Sequence, residues 1–82
     1  MMNKEDSRLL ILATFRYSLG RRTYMPSFIV EQIIKNHKIF NKHNWKQFIE
    51  EINETDDLGD DCDIQTWRKL EEFCREKIEN GN

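Results

Sequence analysis

Three guanidiniums and two phenols crowd into the nine residues from Arg16 to Tyr24, around Gly20. Arg presents forked donors that match phosphate or carboxylate oxygens, and Tyr adds an apolar face and a hydroxyl. The chemistry on offer is anion recognition, with Arg21, Arg22 and Tyr24 as candidate partner-binding residues. A structural role competes with it. Arg16 stands among Leu9, Ile11, Leu12 and Leu19, and a charge in such company is expected to pair with a carboxylate from the acidic half of the chain. Arg21 and Arg22 are also placed to meet the last carbonyls of a helix ending at Gly20. Tyr17 and Tyr24 suit the edge of a core.

The opposite charge gathers further on, where Glu54, Asp56, Asp57, Asp60 and Asp61 surround Leu58 and Gly59. A calcium loop is the first chemistry such a run suggests. With Gly59 at the sixth loop position, Glu54 and Asp56 take the first and third. Leu58 then occupies the fifth and Gln65 the twelfth, where an oxygen ligand and a bidentate Glu are required. His37, His43, Cys62 and Cys74 supply zinc-type atoms, but at His-x5-His and Cys-x11-Cys separations instead of close pairs. No metal and no other cofactor is expected. Ser7, Ser18 and Ser27 each have local structural roles open to them, both histidines lie in or beside one loop, and no glycine-rich phosphate loop is present. The residues do not point to an enzyme.

Charge divides the chain in two. Met1 to Lys46 carries nine Lys/Arg against three Asp/Glu, a net of +6, whereas Gln47 to Asn82 carries four against twelve, a net of −8; the overall −2 conceals two opposed fields. Such fields govern what approaches each surface and say little about the fold. In one reading the basic half docks on nucleic acid, with Lys35, Lys38, Lys42, His43 and Lys46 extending a patch at Arg21 and Arg22. An isoelectric point near 5.7 argues against it. In the other, favoured here, the acidic half occupies the basic channel of a protein that handles nucleic acid, as a DNA mimic or competitor. Glu54, Asp56, Asp57, Asp60 and Asp61 are its candidate contacts. The plain alternative is that the two halves face each other, within the monomer or across a homodimer, and leave a modest external field.

These residues need a scaffold, and 82 residues make one domain, 1–82, that buries only roughly 60% of the surface its unfolded chain exposes. The hydrophobic periodicity predicts an all-α, compact single-domain bundle of about four short helices. The first covers 6–19, capped by Asp6 or Ser7 and stopped by Gly20, and is apolar nearly all round, so it is expected to be the buried central helix. The second covers 26–36, opening on Pro26. The third covers 44–54, where Asn44 and Gln47 have capping-box spacing and Trp45, Phe48, Ile49 and Ile52 repeat at helical period. The fourth starts from a cap at Asp63 and ends at Asn80-Gly81, with Ile64, Trp67, Leu70, Phe73, Cys74 and Ile78 along one side. Trp45 and Trp67 are expected in the core.

The segment Arg16-Tyr17, Leu19-Gly20-Arg21, Thr23-Tyr24, within the run from Leu12 to Ile33, resembles a group of small uncharacterised proteins from prophages and plasmids, mainly of Gram-positive bacteria. The resemblance extends more loosely to the acidic loop with Trp67. It implies a mobile-element accessory protein, a class in which small inhibitors of host or defence machinery, such as anti-CRISPR proteins, are common. It carries no active site onto these positions. The opening Met-Met-Asn-Lys-Glu-Asp lacks the apolar run of a signal peptide, and nothing approaches the length of a membrane span. The expected setting is the reducing cytoplasm of a bacterial host, where both cysteines stay thiols.

Overall fold

The computed structural model describes residues 3–21 and 26–80. Along them run α1 (Lys4–Arg21), α2 (Pro26–Lys35), a 3-10 turn (His37–Ile39), α3 (Lys42–Glu54) and α4 (Asp61–Asn80), with no strand among the described residues. The protein is an all-α bundle of four helices. Helix α4 packs along α3 and α2, and α2 packs on α1.

A chain of aromatic rings ties the elements together. Phe15 of α1 meets Phe48 of α3 edge-on at 4.9 Å and Trp67 of α4 at 5.6 Å. Phe40, in the connection before α3, meets Trp45 and Phe48, and Trp45 reaches Phe73 of α4 at 5.7 Å. Edge-to-face contacts add to area burial, since the positive ring edge meets the negative ring face. Trp45 and Trp67 are both buried, as their periodicity predicted. From α2 come Ile29, Val30 and Ile33, and from α4 Leu70 and Cys74.

Helix α1 departs from the expectation of a central, all-round buried helix. At about 100° per residue Ile11, Leu12, Phe15, Ser18 and Leu19 share the face that meets the core, the last four buried and Ile11 half-buried. Leu10 and Tyr17 fall on the far side and Leu9 at its margin, and all three are exposed. The helix also starts earlier. Asn3 Oδ1, and not Asp6 or Ser7, accepts from the Asp6 amide at 2.8 Å, while Asn3 O accepts from Ser7 N. Gly20 lies within α1, not beyond its end.

The caps of α3 and α4 each sit three residues before the predicted position. Asn41 Oδ1 accepts from Asn44 N at 2.9 Å and Asn44 Oδ1 accepts from Asn41 N at 3.0 Å, a reciprocal capping box. Asn44 is therefore the third residue of the helix, buried, and not its cap. Asp60 and Asp63 repeat the device on α4. Asp60 Oδ1 accepts from Asp63 N at 3.0 Å and Asp63 Oδ2 accepts from Asp60 N at 3.4 Å. The first helical bond, Ile64 N to Asp60 O at 2.9 Å, makes Asp60 the cap.

Candidate functional site

Helix α3 carries the charge split along its own axis. Lys42, His43 and Lys46 stand exposed at its start, and exposed Glu50 and Glu54 with half-buried Glu51 at its end. Thirteen residues at 1.5 Å each separate the two ends by about 20 Å. The polarity opposes the helix macrodipole, which favours anions at the N-terminus and cations at the C-terminus. No acidic residue lies in the first turn and no basic one in the last. The arrangement costs the helix on the order of 0.5 kcal/mol for each misplaced charge, so it is not explained by helix stability.

Beyond the acidic end the chain forms an ordered loop. Leu58 drives its side chain into the core and anchors the segment. Asp57 Oδ1 accepts from Gly59 N at 3.0 Å, an Asx turn, and Gly59 takes a φ of 108°. A side chain at Gly59 would lie 2.3 Å from Asp63 Oδ2, inside the capping box, so glycine is required by both φ and space. Two of the candidate contacts, Asp57 and Asp60, thus have structural duties that composition did not disclose. Glu54, Asp56 and Asp61 are exposed, and their side chains bond to no described residue. The loop and the two helix ends it joins display these three from a pinned backbone, Glu54 closing α3, Asp56 in the loop and Asp61 opening α4.

Arg16 does reach the acidic half. Its Nε donates to Glu51 Oε1 at 2.9 Å, bridging α1 and α3. The pair is not internal, because the Arg16 side chain is 51% exposed. Of Arg21 only the backbone is described, as the last residue of α1, and Arg22 and Tyr24 lie outside the described residues. Their candidate roles, including the meeting of Arg21 and Arg22 with the last carbonyls of α1, lie outside them too.

A denser polar cluster sits on the α3/α4 seam. Glu71 accepts from Arg68 Nη1 and Arg75 Nη2, both at 2.7 Å, and from Asn53 Nδ2 at 3.0 Å, while Arg68 Nη1 also donates to Asn53 Oδ1. Burial pushes the Glu71 carboxyl up, but the bonds from Asn53, Arg68 and Arg75 and the Arg68 charge outweigh it and hold the pKa at about 2. Cys74, one turn on, is buried, and desolvation, reinforced by the Glu71 charge, lifts its thiol to about 12. It acts as a core side chain and stays protonated. Cys62 is exposed. Among the described residues no group of three His, Cys, Asp or Glu side chains could hold a metal ion, and no helix is long and apolar enough to cross a membrane. His37 is occupied locally, donating from Nδ1 to Ile34 O at 3.0 Å.

One surface was missed from the sequence altogether. Leu10, Ile11, Thr14, Phe28, Ile29 and Gln32 line an uncharged cleft of about 200 Å³ between α1 and α2, with Leu10 and Phe28 more than half exposed. The signal was available, since Leu10 and Leu12 cannot share a helix face. Comparison with family models, curated proteins and solved structures gives no significant match to this chain.

Proposed function

We propose that this is a protein-binding module whose acidic α3/α4 end occupies the basic surface of a partner that handles nucleic acid, and so inhibits it. The observation that supports this most is α3 itself, whose charges run against its own dipole and continue into a loop pinned by Leu58, Gly59 and the Asp60–Asp63 cap. Carboxylates held on a fixed backbone lose little freedom on docking, and their field speeds encounter with a basic partner. Glu54, Asp56 and Asp61 are the contacts; Asp57 and Asp60 hold the loop in shape. A phage or mobile-element origin, and a defence or host protein as target in the bacterial cytoplasm, follow from the resemblance of the Arg16–Tyr24 segment.

The test is affinity capture from bacterial lysate with the parent and an Asp56→Asn/Asp61→Asn variant. The parent should retain nucleic-acid-binding proteins that added duplex DNA releases, and the variant should lose them mainly through a slower on-rate. Equal capture by both would remove the loop from the site. A second reading, direct nucleic-acid binding, is favoured by the exposure of Lys35, Lys38, Lys42, His43 and Lys46 around the α2–α3 connection. Binding of the isolated protein to duplex or single-stranded nucleic acid tighter than about 10⁻⁶ M at physiological salt would establish it in place of the first.

A further inference from the structure

A second feature of the acidic end is the cleft of about 330 Å³ between α1 and the end of α3, lined by Arg16, Leu19, Glu51, Glu54 and Thr55. Glu51 is half satisfied. Its Oε1 takes the bond from Arg16, while its Oε2 is closed off from solvent and accepts no hydrogen bond. A carboxylate oxygen in that condition is costly, and a donor that reaches it recovers the loss. Arg16 does not supply one, because it binds through Nε alone and not through the two-pronged fork that guanidinium and carboxylate usually form.

The lining also selects what can enter. One guanidinium faces two carboxylates, so the cleft favours a cation. Thr55 Oγ1 gives its proton to Glu51 O at 2.8 Å, and its lone pairs are left to accept. Leu19 supplies an apolar wall for a methylene stem. A compact charge with several donors on an alkyl stem fits this set better than a second planar guanidinium beside Arg16. We propose that the cleft receives a lysine side chain of the partner protein, its ammonium bonding Glu51 Oε2 and Glu54 while the half-exposed Arg16 swings aside. The inference rests on the protein-binding reading and adds to it a discrete pocket next to the acidic loop.

The probe is Nα-acetyl-lysine methylamide, titrated into the ¹⁵N-labelled protein and compared with the same compound acetylated on its side-chain amine. The amine should shift the amides of Leu19, Glu51, Glu54 and Thr55 to saturation, with an affinity on the order of millimolar for so small a ligand, and the acetylated form should not. Glu51→Gln should abolish the shifts with its fold retained by circular dichroism. Glu54→Gln, at an exposed position that does not threaten folding, should weaken them. Arg16→Gln should tighten binding severalfold, whereas Lys42→Ala, which removes the same charge at the other end of α3, should leave it unchanged. Equal shifts from the acetylated probe, or equal tightening by Arg16→Gln and Lys42→Ala, would overturn the pocket. The Asp56→Asn/Asp61→Asn variant should bind the probe normally even if it no longer captures a partner. Loss of the shifts in that variant would place the cation on the loop and also overturn the pocket.

Discussion

Glu51 and Glu71 are the same residue on adjoining helices, and the molecule treats them in opposite ways. Glu71 has a side chain only 12% exposed, with both oxygens engaged by donors from Asn53, Arg68 and Arg75. Glu51 is 27% exposed, has one bond from one half-exposed Arg16, and keeps an orphaned oxygen. A carboxylate with a complete set of donors belongs to the scaffold, since its partners more than repay its burial. One with an incomplete set in a cleft has capacity left for something else. The contrast teaches that acidity along the chain is not one property: part of it closes the α3/α4 seam, and part of it is left open at the end of α3.

The largest expected effect that probes this contrast is Glu71→Gln, which should lower stability by about 2 kcal/mol in urea unfolding, because it removes the charge that Arg68 and Arg75 solvate. Glu51→Gln should cost far less; equal losses would erase the distinction. The pH dependence sharpens it. The Glu71 pKa falls from 4.5 to about 2 on folding, so its contribution is complete above about pH 4.5 and fades as the pH falls through 2. Stability measured from pH 6 down to pH 2 should therefore decline more in the parent than in the Glu71→Gln variant. Parallel declines would show that Glu71 is not the linked group.

Asn53→Ala should cost about 1 kcal/mol, since Asn53 both donates to Glu71 and accepts from Arg68 across the seam. Arg16→Ala should cost less than about 0.5 kcal/mol, as for other exposed single pairs, checked by thermal melts. A loss as large as that of Glu71→Gln would make Arg16–Glu51 part of the scaffold. The smallest perturbation is chemical. A thiol reagent applied to the folded protein at neutral pH should label Cys62 alone, because Cys74 is buried and protonated; labelling of both would mean that the core beside Glu71 opens readily.

Much of the bundle is legible in the chain. The repeats Trp45, Phe48, Ile52 and Trp67, Leu70, Cys74 predict buried faces, and all six residues are buried. Capping is less legible. Asn41 and Asn44 are the same residue type three apart, so composition does not say which one precedes the helix, and the same ambiguity holds for Asp60 and Asp63. On α1 the excess of apolar residues hides the face, and Leu9, Leu10 and Tyr17 look like core until the packing leaves them outside. Leu58, alone among carboxylates, reads as part of a solvated loop although it is the loop's anchor.

What the sequence determines by itself is local and periodic: four helices, their apolar stripes, and the separation of +6 from −8 along the chain. Helical propensity and 3.6-residue periodicity act within a few residues, so they can be read without knowing what lies across the core. The pairing of polar groups between helices is decided only in three dimensions. Arg16 meets Glu51 across a separation of 35 residues, and Asn53 meets Glu71 across 18. Spacing along α4 offers Glu71 the guanidiniums of Arg68 and Arg75, three residues before it and four after, but it does not say that Asn53 adds a third donor or that Glu51 receives only one. That depends on how α1 and α4 settle against α3, because desolvation and hydrogen-bond geometry, not charge alone, decide whether a carboxylate is spent on the fold or left available to a partner.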